Sequence, residues 1–211
     1  MQVVNSMAQK GGGGRRRQRR QQVQYEELDK YPVAPPHAFA RIVRDLRTLN
    51  IIYQVIEPPL TKKEEEIREE IMTIFIQALT ADIEEIDANP ELYLRAAMDQ
   101  IVKSYRLKIN KKSRSKIFYY LKRDLIGYGR MDVLMSDANV EDVSLDGTGI
   151  PIFAYHRKFE SVETTVAWPD DNELESYVIK LAQRCGKHIS VAEPLLDATL
   201  MDGSRIVMKL G

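Results

Sequence analysis

Apolar residues return at helical spacing in three successive stretches and then change to a strand-like pattern near residue 127. Ile67, Ile71, Ile74, Phe75, Ala78 and Leu79 share one face of a first predicted helix, and Leu94, Ala97, Met98, Ile101, Val102 and Tyr105 share one face of a second. A third runs from about Ser113 to Ile126. Thr61 with Glu64 three residues later has the form of a capping box, and Asn89-Pro90 supplies a cap followed by proline in the first turn. Before the helices, Ala38 to Val43 and Ile51 to Ile56 are β-prone and flank the polar Arg44 to Asn50, which predicts a hairpin ended by Pro58-Pro59.

Beyond the Gly127-Tyr128-Gly129 break, Val143 and Leu145 alternate, Asp146-Gly147-Thr148-Gly149 supplies a turn, and Ile152 to His156 and Val162 to Trp168 read as further strands. Asp170 caps a helix striped by Leu174, Tyr177, Val178, Leu181 and Cys185, with Gly186 at the left-handed C-terminal position. A last hairpin turns at Asp202-Gly203. The expected fold class is α/β (α+β): an N-terminal hairpin and three-helix subdomain, residues 31 to 126, packed beside a mixed-sheet α/β domain, residues 127 to 211. Residues 1 to 30 are expected to form a disordered basic arm.

Composition fits one or two globular domains: 211 residues, 44% hydrophobic and 29% charged. The net charge is zero, but the first 30 residues hold seven Lys/Arg against three Asp/Glu. A basic arm thus precedes a mildly acidic body. Met1 to Gln24 has almost nothing apolar to bury, so it is expected to be disordered. Its Arg15, Arg16, Arg17, Arg19 and Arg20 are candidates for contact with anionic lipid headgroups or nucleic acid, the alternative being a solvated tail. The near-neutral body, with no basic stripe recognised beyond residue 20, counts against nucleic acid. One cysteine excludes an internal disulfide and any cysteine-built metal site. The longest apolar run, Ile71 to Leu79, is far short of the ~20 residues of a spanning helix, and the first residues lack the apolar core of a secretory signal. A cytoplasmic protein is the expectation.

Candidate chemistry is sparse. His37, His156 and His188 are too far apart in sequence to pair as ligands on one helix, and no metal site is expected. Asp137, Asn139, Glu141 and Asp142 lack the glycine and terminal glutamate of a calcium loop. Cys185 sits on an apolar stripe, where a thiol acts as a small hydrophobe. Gly11 to Gly14 before the arginines lack the Lys-Ser/Thr of a phosphate loop, and Gly127-x-Gly129 follows a helix and lacks a third glycine, which excludes a dinucleotide fingerprint. No catalytic residue is expected. Arg205 stands out because it follows the Asp202-Gly203 turn, which would hold its guanidinium in place; pairing with Asp197 or Asp202 is the alternative.

Six runs follow one another in order: Pro36-His37-Ala38-Phe39-Ala40-Arg41-Ile42, Tyr53 to Leu60, Ile126-Gly127-Tyr128-Gly129-Arg130-Met131-Asp132, Val140 to Gly147, Tyr155-His156-Arg157-Lys158, and Asp202-Gly203-Ser204-Arg205. Together they resemble the N-terminal region of type II/IV secretion ATPases, with the archaeal pilus and archaellum branch the nearest likeness. The likeness covers roughly residues 31 to 211. It implies that Arg205 projects toward a nucleotide held by a motor domain, a role for which a guanidinium fork suits phosphate oxygens. Met201 stands where that motif usually has proline.

The resemblance also implies a hexameric assembly, contact with the motor domain, neighbouring subunits and a membrane platform protein, and a place at the inner face of the cell membrane. ATP and Mg belong to the motor domain of the complete family protein, and no cofactor is expected in this chain. The sequence stops at Leu210-Gly211, before the Walker lysine and metal-binding acids of that family, so no ATP turnover is expected from it. Two other functions remain open: a stand-alone, non-enzymatic adaptor that docks to a motor or membrane platform complex, and nucleic-acid binding through the arginine-rich arm.

Overall fold

A computed structural model describes residues 24–77 and 89–209. Its centre is a six-stranded mixed sheet built from two three-stranded meanders. Strands β1 (Tyr25–Ala34), β2 (Ala38–Asp45) and β3 (Ile51–Ile56) form one antiparallel meander. Strands β4 (Val140–Ser144), β5 (Pro151–His156) and β6 (Glu160–Ala167) form a second. The two meet where β3 pairs in parallel with β6, Ile52 opposite Glu163 and Tyr53 opposite Thr164. Between β3 and β4 the described residues include the helices α1 (Lys62–Gln77), α2 (Pro90–Ser104) and α3 (Lys111–Leu125), and the short α4 (Asp132–Ser136). After β6 come α5 (Asp171–Arg184) and a separate ribbon of β7 (Leu195–Thr199) and β8 (Arg205–Lys209). The α+β class expected from the sequence is the one observed.

Local chemistry explains the boundaries. At the start of α1 the Thr61 N–H donates to Glu64 Oε2 at 2.7 Å and the Glu64 N–H donates to Thr61 Oγ1 at 3.3 Å, a reciprocal capping box. Asn89, Asn110 and Asp170 cap α2, α3 and α5 by accepting from the N–H of Leu92, Ser113 and Glu173. Gly186 closes α5 with φ of +65°, which a residue without Cβ adopts at no steric cost. Ala78 and Leu79 of the first predicted stripe lie outside the described residues.

Each layer has its own core. Ala40, Ile42, Tyr53, Ile152, Ala154 and Val162 of the sheet pack with Met131, Leu134 and Trp168, the indole being 1% exposed. Ile71, Leu94, Met98, Ile101, Ile117, Phe118 and Leu121 fill the space between α1, α2 and α3. Ala38, Tyr119 and Val133 join the two. At that junction Glu57, just after β3, accepts from Tyr119 Oη at 2.7 Å and from Arg123 Nη1 at 2.8 Å.

Three expectations are corrected. Tyr25 to Lys30 belong to β1 and not to a disordered arm. They form an edge strand whose Glu26 and Glu27 bridge to Arg44 and Arg41 of β2, an arrangement that reads as polar sequence. The hairpin of β2 and β3 is part of the same sheet as β4–β6, so the sheet crosses the division expected at residue 126; pairing with β6 satisfies a strand edge that the helices could not. The body is also not without a basic stretch: between Asp99 and Asp124 the sequence has nine Lys/Arg and no Asp/Glu. No helix among the described residues is long and apolar enough to cross a membrane.

Candidate functional site: the Arg205 ribbon and its coupling to the helices

Arg205 opens β8 directly after the turn that joins the ribbon. The Leu200 N–H donates to Ser204 O at 2.8 Å and the Ser204 N–H to Asp202 Oδ1 at 2.9 Å, while Gly203 takes φ of +88°. Only glycine adopts that angle freely, so the turn geometry is written into Asp202-Gly203-Ser204. The Tyr128 hydroxyl donates to Asp202 Oδ2 at 3.1 Å and ties the turn to the Gly127-Tyr128-Gly129 segment. The Ser204 N–H holds the Asp202 carboxyl below its ordinary range.

Alternation along the ribbon separates two faces. Leu196, Ile206 and Met208 turn inward onto Leu181, Ala182 and Ile189, and Ala198 on the same face is buried. Leu195 and Val207 turn outward and are 70% and 67% exposed. Arg205 shares this outer face, its side chain 75% exposed, and donates through Nε and Nη2 to the two carboxylate oxygens of Asp197 at 3.1 and 2.5 Å. This fork pulls the Asp197 carboxyl below its usual range and raises the guanidinium above its own. The structure therefore brings Arg205 and Asp197 together, the pairing the sequence left open, and holds the guanidinium at the surface.

Behind the ribbon lies a contact that sequence reasoning missed. Arg184, in the last turn of α5, donates to the carbonyls of Ile126 and Gly127 and stacks over the Tyr128 ring at 5.1 Å. Lys180 donates to Asp124 O at 2.6 Å, and burial pushes its ammonium pKa down. Lys180 thus serves a last-turn carbonyl of α3, which a helix end leaves without a partner, and Arg184 serves the two carbonyls just past that end. The signal was a helical i, i+4 pair of basic residues, one turn apart on a face that also carries Tyr177.

Each histidine has its own surroundings. His37 Nε2 lies 2.9 Å from Ser115 Oγ, and burial lowers the His37 pKa. His188 is exposed. His156 is buried in a polar knot: its Nδ1 accepts from the Lys158 N–H at 3.1 Å, so its other nitrogen carries the proton and faces Tyr31 Oη at 2.9 Å. Asp137 closes that knot with tyrosine and Asn139 donors, so this carboxylate serves the fold. Cys185 is half-buried at the end of α5. Arg15, Arg16, Arg17, Arg19 and Arg20 lie outside the described residues. Among the described residues no group of three or more His, Cys, Asp or Glu side chains is arranged to hold a metal ion.

A cavity of about 670 Å³ opens between the Pro35-Pro36-His37 turn, α2 and α3. Most of its wall cations are already matched: Arg114 pairs with Asp99, Lys122 with Glu91 at 2.5 Å, and Arg95 lies over the Phe118 ring at 4.1 Å, while Lys111 has no ion-pair partner among the described residues. Such a wall offers little unsatisfied charge to a ligand.

No protein-family model matches the chain. Over 160 residues, 75% of its length, it is 41% identical to uncharacterized protein MJ1288 of Methanocaldococcus jannaschii, and the match covers 64% of that protein. It is 34% identical over 160 residues to uncharacterized protein MJ0900 of the same organism, covering 28% of it. Uncharacterized protein MJ0781 is 36% identical over 90 residues, 12% of its length. The chain thus spans less than two thirds of each of these relatives.

Proposed function

We propose that this chain is the N-terminal regulatory and assembly region of a type II/IV secretion ATPase, working at the cytoplasmic face of the cell membrane. In this reading the outer face of the β7–β8 ribbon docks on a motor domain, within one protein or between neighbours of a hexameric ring. Arg205 exchanges Asp197 for the terminal phosphates of ATP held there with Mg. The ribbon turn is tied to Tyr128, and Tyr128 packs under Arg184, which grips the end of α3. A shift of the ribbon would therefore reach the helical unit, which in this reading meets a membrane platform protein.

The observation that carries the proposal is the ribbon's outer face: a bidentate-capable arginine raised between Leu195 and Val207, with no covering element among the described residues. Relatives such as MJ0900, most of whose length lies outside the matched segment, support a module joined to further chain. A specific observation favours a second reading. The Asp197–Arg205 pair is already self-satisfied, as it would be in an adaptor that docks without touching nucleotide.

Mixing the full chain with a separately produced motor domain of this ATPase class tests both. Complex formation with a rise in ATP hydrolysis that Arg205→Ala removes supports the regulatory reading. Complex formation with hydrolysis indifferent to Arg205 supports the adaptor. Absence of a complex overturns both.

A further inference from the structure

The hairpin of α2 and α3 ends in a basic cap. Of the nine cations between Asp99 and Asp124, Arg114, Lys116, Lys122 and Arg123 are taken up by Asp99, Glu64, Glu91 and Glu57. The other five, Lys103, Arg106, Lys108, Lys111 and Lys112, are exposed, and none has an ion-pair partner among the described residues. Their direction is fixed by the residues between them. Leu107 and Ile109 pack into the three-helix core, and the Leu107 N–H bonds to Val102 O at 3.0 Å, so Arg106 and Lys108 must point outward. Tyr105, 56% exposed, stands at the same turn.

This concentration works against helix stability. Lys111 and Lys112 begin α3 with no acidic residue in the first turn, where the backbone already presents positive partial charge. Helices α1, α2 and α5 all carry acidic residues there. The sequence thus keeps a positive potential at this end in preference to the more stable choice.

We infer that this end of the helical unit is a docking surface for an anionic membrane leaflet. Four of the five cations are lysines, strongly hydrated point charges that suit the diffuse field of lipid headgroups; reading base edges or clamping single phosphates favours the arginine fork. The charges gather at the connection between α2 and α3 and do not run along a helix face that could lie in a groove. Tyr105 supplies the amphipathic ring found at membrane interfaces. The surface is formed independently of the ribbon and does not depend on the ATPase reading.

The test uses the full chain with Arg15, Arg16, Arg17, Arg19 and Arg20 all changed to Gln, so that only the body's charges act. At low salt this protein is expected to sediment with phosphatidylserine-containing vesicles and not with pure phosphatidylcholine. Adding Lys108→Glu, Lys111→Glu and Lys112→Glu should weaken partitioning at least about tenfold, since each cation near an anionic leaflet multiplies binding about five-fold. The urea midpoint should hold or rise, because acids suit the start of α3. Were the reversal variant unfolded, Lys→Gln at the same positions gives the same comparison. Equal sedimentation with and without the three lysines overturns the inference, as does equal binding to phosphatidylcholine. Tighter binding to duplex DNA than to the vesicles, lost with the same lysines, overturns it in favour of nucleic acid.

Discussion

Tyr53 donates its hydroxyl to Oδ2 of Asp137 across 2.6 Å, linking the middle of the sheet to the segment that follows α4. Tyr31 of β1 donates to the same oxygen at 2.6 Å, and the Asn139 N–H donates to Oδ1 at 2.8 Å, so a carboxylate only 5% exposed is fully served. Desolvation, and after it Asp137, pushes both phenols above their ordinary range. Removing one member leaves the others buried with fewer partners. Tyr53→Phe is expected to lower stability by about 1–3 kcal/mol, and Asp137→Ala by more, because it removes the acceptor of four donors at once. Urea denaturation of the purified variants measures both; a neutral Asp137→Ala would show that the knot contributes nothing.

His156 makes the same knot sensitive to acid. Burial lowers its pKa from 6.5; Lys158 lowers it further, while Asp137 and Asp29 pull the other way. The unfolded chain therefore binds the proton more readily than the folded one. Stability should be full above the unfolded pKa and fall as pH drops below it, until the folded protein also protonates. Moving from about pH 7.5 to about pH 5.5 should thus lower the unfolding midpoint, and His156→Gln should flatten that slope. An unchanged slope in the variant would assign the acid sensitivity elsewhere.

Gly127 is required by a close approach. A Cβ there would collide with the Asp132 carboxylate and stand 2.9 Å from Arg123 O, while that carboxylate is held by the Tyr128 N–H at 2.9 Å. Gly127→Ala should cost about 3 kcal/mol. Gly186→Ala, where φ is +65° but the space is open, should cost only about 1 kcal/mol. In an Asp132→Ala background the Gly127→Ala penalty should shrink, a coupling that a double-mutant cycle reads directly.

Arg205→Ala should leave the melting temperature of the isolated chain unchanged, since both partners of the Asp197 pair are mostly solvated. In a protein that joins this chain to its motor domain, the same substitution should reduce ATP hydrolysis about tenfold or more, and Arg205→Lys should restore only part. Full hydrolysis by a folded Arg205→Ala protein would leave the arginine as a surface pair.

Features carried by a few adjacent residues were legible in the sequence. The Thr61 and Glu64 box, the caps at Asn89 and Asp170, and the turn at Gly203 each depend on chemistry within four positions. Strand β1 was not legible, because its outward residues satisfy Arg41 and Arg44 and so resemble a polar tail. The parallel junction of β3 and β6 leaves no local mark, since its partners lie about 110 residues apart. The five unpaired cations of 103 to 112 were hidden by averaging: acids elsewhere in the body cancel them in the sum, yet among the described residues none forms an ion pair with them. Arg205 was legible as a turn-held residue, and its attachment to Asp197 was one of two pairings that spacing allowed.

The parallel junction also sets the order in which the molecule assembles. Each meander closes through short turns, and the three helices gather through neighbours in sequence, so all three pieces can begin to form on their own. Among the strand pairings of the sheet, the Ile52–Glu163 and Tyr53–Thr164 pairs are the ones that wait for the whole intervening chain to be gathered, at the entropic cost of closing a long loop. The seam between β3 and β6 is then the last part of the sheet to zip and the first to open. Amide hydrogens along it should exchange before those inside either meander, a fault line through a sheet that otherwise looks continuous.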